Sequence, residues 1–193
     1  MPYLPPPPSG AWAHQVARSG FEVVLFEPTD EGHLIAGCTT AVEDGRAWIV
    51  DYEIHIDAAW RTRSARVAGR SGGRSRTVLL EADGGGRWHV DGRAAPHLDG
   101  CLDVDLESSA MTNALPVHRL DLATGEMAQA PAAFVRALDL SVERLEQQYV
   151  RMSDEDGHQR YEYSAPAFDF SCHLVYDEAG LALAYPGIAV RAA

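Results

Sequence analysis

Residues 49–57, Ile49–Val50–Asp51–Tyr52–Glu53–Ile54–His55–Ile56–Asp57, alternate apolar and polar side chains. Successive side chains of an extended chain point to opposite faces. Val50, Tyr52, Ile54 and Ile56 therefore share one face, and Asp51, Glu53, His55 and Asp57 share the other. The stretch is a half-buried strand with one core face and one wet face.

The period of two continues outward from it. Phe21–Phe26 reads as a strand closed by Pro28 and an Asp30–Gly32 turn. His33–Val42 follows as another, ending at Glu43–Asp44–Gly45, whose Asp-Gly pair is a tight hairpin signal. Downstream, Thr62–Ala68 and Arg76–Ala82 flank Gly69–Gly73, and Asp83–Gly86 turns into the short strand Arg87–Val90, ended by Asp91–Gly92. Leu115–Leu122 reads as a strand before the Ala123–Glu126 turn, and Arg160–Ser164, Phe168–Tyr176 and Leu181–Tyr185 as three more. Two segments carry helix character. Ala11–Ser19 has good helix formers and is expected as a short N-terminal helix or an irregular lead-in. In Leu138–Met152 the alternation of Leu138, Leu140 and Val142 favours strand. Val142, Leu145 and Tyr149 also fit a helix face, which leaves the second half open. Short strands joined by Gly- and Asp-rich turns, with few short helices, specify a mainly β single domain of antiparallel sheet. The domain is expected over residues 12–193, behind a flexible Pro-rich tail at 1–11 in which Pro5–Pro8 adopts polyproline II.

Length and charge bound the function. The 193 residues suffice to bury a sizeable core in one domain. A net charge of −12 repels nucleic acid and anionic membrane surfaces, so neither is expected as a partner. Cys38, Cys101 and Cys172 form no CxxC pair and lie in apolar stretches, where each reads as a small buried hydrophobe. No basic and apolar leader opens the chain and no apolar run approaches the roughly 18 residues of a transmembrane segment, so the expectation is a soluble, cytoplasmic protein.

Sequence motifs of common chemistries do not appear. There is no GxSxG elbow, Walker loop or GxGxxG turn, and Gly84–Gly86 leads into a strand rather than the helix N-terminus a phosphate would need. The histidines lack HxH or HExxH spacing, and no metal is expected. Two polar segments stand out instead. Asp103 and Asp105 straddle Val104 and point to one face. Such a pair can do acid–base work, because mutual repulsion raises one pKa. Arg61, Arg63 and Arg119 as neighbours would instead keep both ionised, in a network that is structural or holds a headgroup. Arg61 and Arg63, two apart beside Trp60, form a fork that suits a carboxylate or phosphate, or Asp103 and Asp105 themselves. Thr112 and Asn113 sit at a bend before Leu115–Pro116, where Asn caps backbone groups as readily as it contacts a ligand.

Trp60–Arg63, Leu102–Leu106 and Thr112–Leu120 together resemble the signature of a bacterial family described as putative glycolipid-binding. Further matches are Val50–Tyr52, Trp88 with Asp91–Gly92, Glu146–Tyr149 and Gly180–Gly187, so the likeness spans about residues 12–191. The resemblance implies a strongly curved antiparallel sheet, a half-barrel similar to those of bacterial lipoprotein carriers. It implies a non-enzymatic protein, without cofactor, that holds an amphiphilic glycolipid or lipid. The tail would lie against Tyr52, Ile54 and Ile56. The expected ligand-facing set is Tyr52, Trp60, Arg61, Arg63, Asp103, Asp105, Thr112, Asn113, Arg119 and Tyr149. Two positions depart from the family pattern: Ala110 in place of proline, and His118 in place of an arginine. The alternative is an enzyme on a hydrophobic or sugar-like substrate with Asp103 or Asp105 as acid–base. It requires a carboxylate at the base of a cavity with no arginine to neutralise it.

Overall fold

A computed structural model describes residues 3–193; Met1 and Pro2, the start of the expected tail, lie outside the described residues. The first half of the chain is a run of antiparallel strands: β1 (Ser9–His14), β2 (Ser19–Thr29), β3 (Gly32–Glu43), β4 (Arg46–Asp57), β5 (Thr62–Ser71), β6 (Arg74–Ala82), β7 (Trp88–Val90) and β8 (Arg93–Ala94). A central segment holds β9 (Asp103–Leu106) and α1 (Ala114–Leu120). The second half contains β10 (Met127–Gln129), β11 (Ala132–Val135), β12 (Val142–Leu145), β13 (Gln148–Glu155), β14 (His158–Ala165), β15 (Phe170–Tyr176), β16 (Ala182–Tyr185) and β17 (Ala189–Arg191).

Fourteen strands form one sheet in the order β10-β13-β14-β15-β16-β17-β1-β2-β3-β4-β5-β6-β7-β8, so the two halves of the chain join where β17 pairs with β1. The end strands β10 and β8 do not pair, and the sheet is a curved, open half-barrel. A small sheet, β12-β11-β9, lies apart from it, with β9 parallel to β11.

The decisive stretch behaves as its alternation requires. Val50, Tyr52, Ile54 and Ile56 are buried, while Glu53 and His55 face water. What the inner face buries is the protein's own central segment. Cys101, Val104, Leu106, Met111, Ala114 and Leu115 pack against Trp12, Ile35, Ile54, Val67 and Leu80 of the surrounding strands. A second cluster forms where Val117 of α1 meets Tyr149, Tyr161, Tyr163 and Tyr176 on β13–β15.

Four expectations are corrected. Ala11–Ser19 is not a helix: β1 pairs with both β2 and β17, and Trp12 is fully buried with its indole N–H donating to the Ala182 carbonyl at 2.7 Å. Those tertiary bonds outweigh a weak helix propensity. Leu115–Leu122 is α1 rather than a strand. Residues 111–117 are buried on every side, which erases the period that separates helix from strand, and Asp121 ends the helix in the left-handed region at φ 42°. The Pro-rich tail is tied down from Tyr3 onward. Leu4 N–H donates to the Glu178 carbonyl at 2.8 Å, Phe26 N–H donates to Pro8, and β1 begins at Ser9. The open half of Leu138–Met152 is strand, β12 and β13, whereas Leu138 and Leu140 belong to a turn with Leu140 at φ 52°.

The sheet accommodates Tyr52 by leaving Gly37 opposite it on β3 without a side chain. A methyl group there would sit 2.2 Å from the Tyr52 ring. Gly37→Ala is expected to cost about 1–3 kcal/mol of stability, the range for overpacking a core. Urea unfolding checks this, and an unchanged midpoint would mean that the Tyr52 ring is free to move.

Candidate functional site

The central segment carries polar groups into the core, and each is met by a specific partner. Burying a carboxylate is costly unless hydrogen bonds or a cation replace its water. Asp103 on β9 takes the cation. Arg119 of α1 grips it through Nε at 2.9 and 3.2 Å and Nη2 at 2.6 Å, a bidentate pair in which the Asp103 side chain is 2% exposed. Burial holds the Asp103 carboxyl above its usual value, and the Arg119 fork offsets only part of that rise. Burial also opposes the Arg119 charge, and Asp103 outweighs it, holding Arg119 above its usual value.

Asp105, two residues on, has no cation. Its Oδ1 accepts from Thr112 Oγ1 at 2.8 Å and its Oδ2 from Gln147 Nε2 at 2.5 Å, and Gln147 also donates to the Tyr163 hydroxyl at 3.0 Å. Burial pushes the Asp105 carboxyl up to about 6, against the pull of those two hydrogen bonds.

A third buried carboxylate, Glu22 on β2, escapes the sequence reading altogether. It is fully buried and accepts from Tyr52 Oη at 2.6 Å, from the Ser109 hydroxyl, and from the Ala110 N–H at 2.8 Å. Burial again raises its pKa. A proline, the residue that the resemblance leads us to expect at 110, would have no N–H to give. The alanine here supplies one of the three donors.

Beside Asp105 lies a cavity of about 250 Å³ between the small sheet, strands β14–β16 and the turn that holds Ile188. Phe134, Leu145, Phe168, Phe170 and Ile188 form most of its wall. Tyr163, Phe170 and Tyr185 pack edge to face at 5.9–6.2 Å between ring centres, and the Arg136 guanidinium lies over Phe134 and Phe168 at 5.1 and 5.0 Å. Polar groups also line it: Asp105, Asn113, Ser109, and two arginines, Arg18 and Arg136. An apolar hollow with a few convergent polar groups is the usual form of a small-molecule site.

Of the ten expected ligand-facing residues, Asp105 and Asn113 line this cavity. Tyr52 is locked behind it by Glu22, and Thr112 by Asp105. Tyr149 donates to Asn113 Oδ1 at 3.0 Å, and Asp103 and Arg119 bond each other. The expected approach of Arg61 and Arg63 to the aspartates does not form. Thr62 takes the inward position, with its Oγ1 accepting from Val104 N–H at 3.0 Å, so both arginines point out. Arg61 reaches the Gly84 carbonyl at 3.2 Å and Arg63 lies 3.8 Å from Asp57. Trp60 sits at φ 59° in the turn between β4 and β5 and stacks on His118, ring centres 3.5 Å apart and 5° from parallel. Burial lowers the His118 pKa to about 4, so this position, where the resemblance leads us to expect an arginine, carries no charge at neutral pH.

The aromatic wall was not foreseen. Phe168 and Phe170 sit in a segment read as one strand, and a short helical turn at Pro166–Phe168 re-aims them. Gln147 had a signal in the Glu146–Tyr149 match, without a role. Among the described residues no group of three His, Cys, Asp or Glu is arranged to hold a metal, and no helix is long and apolar enough to cross a membrane.

Removing one partner of a buried ion pair strands the other. Arg119→Ala is expected to cost about 3–5 kcal/mol in urea unfolding, and Asp103→Leu with Arg119→Met to recover most of it. No recovery would mean that packing of the guanidinium, not the stranded carboxylate, sets the cost. Asp105 makes a pH prediction. Its carboxyl titrates at about 6 in the fold against 3.8 for an unperturbed aspartate, so the folded state holds the proton more tightly. That stabilisation is complete below the unfolded value and is lost as pH rises through 6. Between pH 4.5 and 8 wild type should lose about 2 kcal/mol more stability than Asp105→Asn. Parallel pH–stability curves for the two proteins would refute it.

Comparison with known proteins accords with this architecture. A crystal structure of a DUF1089 family protein from Pseudomonas aeruginosa is 33% identical, with 86% of this chain and 90% of that one covered and a TM-score of 0.75. A β-barrel-like protein of the DUF1849 family from Brucella abortus is 10% identical, with 95% and 92% covered and a TM-score of 0.51, a likeness of fold alone. Among curated proteins none matches. The model of the family described as "Putative glycolipid-binding" matches residues 10–191, and the chain belongs to that family.

Proposed function

We propose that this protein is a non-catalytic binding protein for an amphiphile, a glycolipid or related lipid, whose apolar part occupies the cavity beside Asp105. The observation that carries the reading is the cavity itself: a half-open aromatic and aliphatic hollow beside the packed core. The family description supports the ligand class. Burial of apolar surface at about 25 cal/mol per Å² provides the affinity, and the polar groups at the floor provide selection. Asp105 and Asn113 are the members of the expected set that would meet the ligand; Arg119, Asp103, Thr112, Tyr52 and Tyr149 would hold them in place. At about 250 Å³ the space is at the small end for a ligand site, so one chain or ring fits rather than a two-chain lipid.

A second reading is favoured by one observation. Asp105 is a carboxylate with no arginine to neutralise it, on a cavity wall, with a pKa raised to about 6. That is the placement of a general acid–base for an enzyme on a hydrophobic or sugar-like substrate. Both Asp105 oxygens are already engaged by Thr112 and Gln147, which favours binding over turnover.

The test is displacement of a fluorescent fatty acid, with native mass spectrometry of protein purified from its host. Wild type is expected to carry or exchange an amphiphile. Ile188→Trp, which fills the cavity from its wall, is expected to weaken probe binding at least about tenfold, since a blocked pocket forfeits the apolar burial. Unchanged binding in a folded Ile188→Trp protein would place the ligand elsewhere. Turnover of a screened substrate, lost in Asp105→Asn, would favour the enzyme.

A further inference from the structure

The turn between β1 and β2 carries Arg18, which lines the cavity. Arg18 N–H closes the turn on the Gln15 carbonyl at 2.9 Å, and Gln15 and Ala17 donate to Ile188 and Gly187, so the turn is docked on the β16–β17 connection. The Arg18 residue is only 8% exposed. Its Nη2 donates to the Glu107 carbonyl at 2.7 Å, and its guanidinium lies 5.4 Å from the Trp48 ring. Its Nε and Nη1, both buried, have no hydrogen-bond partner, and none of the ion pairs among the described residues includes it.

A buried guanidinium without a counter-ion is costly, and proteins ordinarily pair it. The second arginine of the cavity follows that rule: Arg136 bonds Glu107 at 3.2 Å and Glu143 at 2.7 Å. The carboxylates on the same walls are occupied elsewhere. Glu107 is held by Arg136 and the Ala137 N–H, and Asp105 by Thr112 and Gln147. Glu43 also lines the cavity and forms no ion pair with Arg18.

We propose that Arg18 is the anion-binding residue of this cavity, its guanidinium turning from its packed position beside Trp48 so that the unpartnered Nε–H and Nη1–H groups take a phosphate or carboxylate on the amphiphile. The inference rests on the amphiphile reading above and adds the charge of the ligand to it. A charged acceptor facing a desolvated guanidinium is the strong class of hydrogen bond. The apolar wall then takes the chain attached to that anion. Selection is against neutral ligands of the same chain length, which would leave the guanidinium unpaired.

The test compares dodecyl phosphate with dodecyl maltoside, equal in chain and different in charge, by displacement of a neutral fluorescent probe from wild type, Arg18→Gln and Arg18→Met. Wild type is expected to prefer dodecyl phosphate by about tenfold or more, the scale of one charged hydrogen bond. Both variants should lose that preference, their affinity for dodecyl phosphate falling to the level of their affinity for dodecyl maltoside. Both are expected to fold, since neither breaks an ion pair, and circular dichroism confirms it. Inorganic phosphate is the third arm: binding that disappears in Arg18→Gln supports the anion site, with a free phosphate as its source. Equal affinity of wild type for the two amphiphiles, or a preference that survives in both variants, overturns the proposal while leaving the amphiphile reading standing. Failure of both amphiphiles to bind wild type removes that reading and this one with it.

Discussion

The backbone of residues 101–120 runs through the inside of a sheet, where every N–H and C=O needs a partner that water cannot supply. The rest of the structure follows from how that requirement is met. β9 pairs with β11, Thr62 serves both ends of the entry to β9, Thr39 Oγ1 donates to the Ser108 carbonyl at 2.9 Å, and the Trp88 indole donates to Cys101 at 2.9 Å. The sheet is curved around this segment rather than around empty space, and side chains from β3, β5 and β7 reach inward to hold it.

Buried carboxylates are the sharpest form of the same constraint, and three of them are answered differently. Asp103 has a cation, Glu22 has three neutral donors, and Asp105 has two. The differences set their protonation. Burial raises all three: the Arg119 guanidinium opposes that rise at Asp103, neutral donors oppose it at Glu22, and Asp105, with two hydrogen bonds and no cation, is lifted to about 6. The least compensated acid facing a hollow is thus Asp105. The least compensated base facing it is Arg18, which has one hydrogen bond and no ion pair. Both line the same cavity, together with aromatic residues of β11 and β15.

Legibility of the site in the sequence varied with the physics of each residue. Asp105 and Asn113 stood out as polar residues off the alternating pattern, and they do line the cavity. Arg61 and Arg63 stood out for the same reason, yet their shared side is the outer one, because Thr62 between them is the residue that faces in. Glu22 was hidden by its strand. In Phe21–Phe26 both faces read as apolar, and the structure turns Glu22, Val24 and Phe26 inward and leaves Phe21, Val23 and Leu25 exposed. Arg18 lay in a segment read as a helix or lead-in, where no pattern marks a side chain that folds back under a neighbouring strand.

The sequence by itself determined the mainly β class, the positions of most strands and turns, the core face of β4 and the family. Those are local or periodic properties, and alternation of side chains along an extended chain writes them directly into the order of residues. Tertiary structure alone decided that Leu115–Leu120 is helical, that the central segment fills the half-barrel, and which charges meet. A segment buried on all sides has no period to read, and partners such as Glu22 and Ala110 or Asp105 and Gln147 are 88 and 42 residues apart, brought together only when the sheet closes over them.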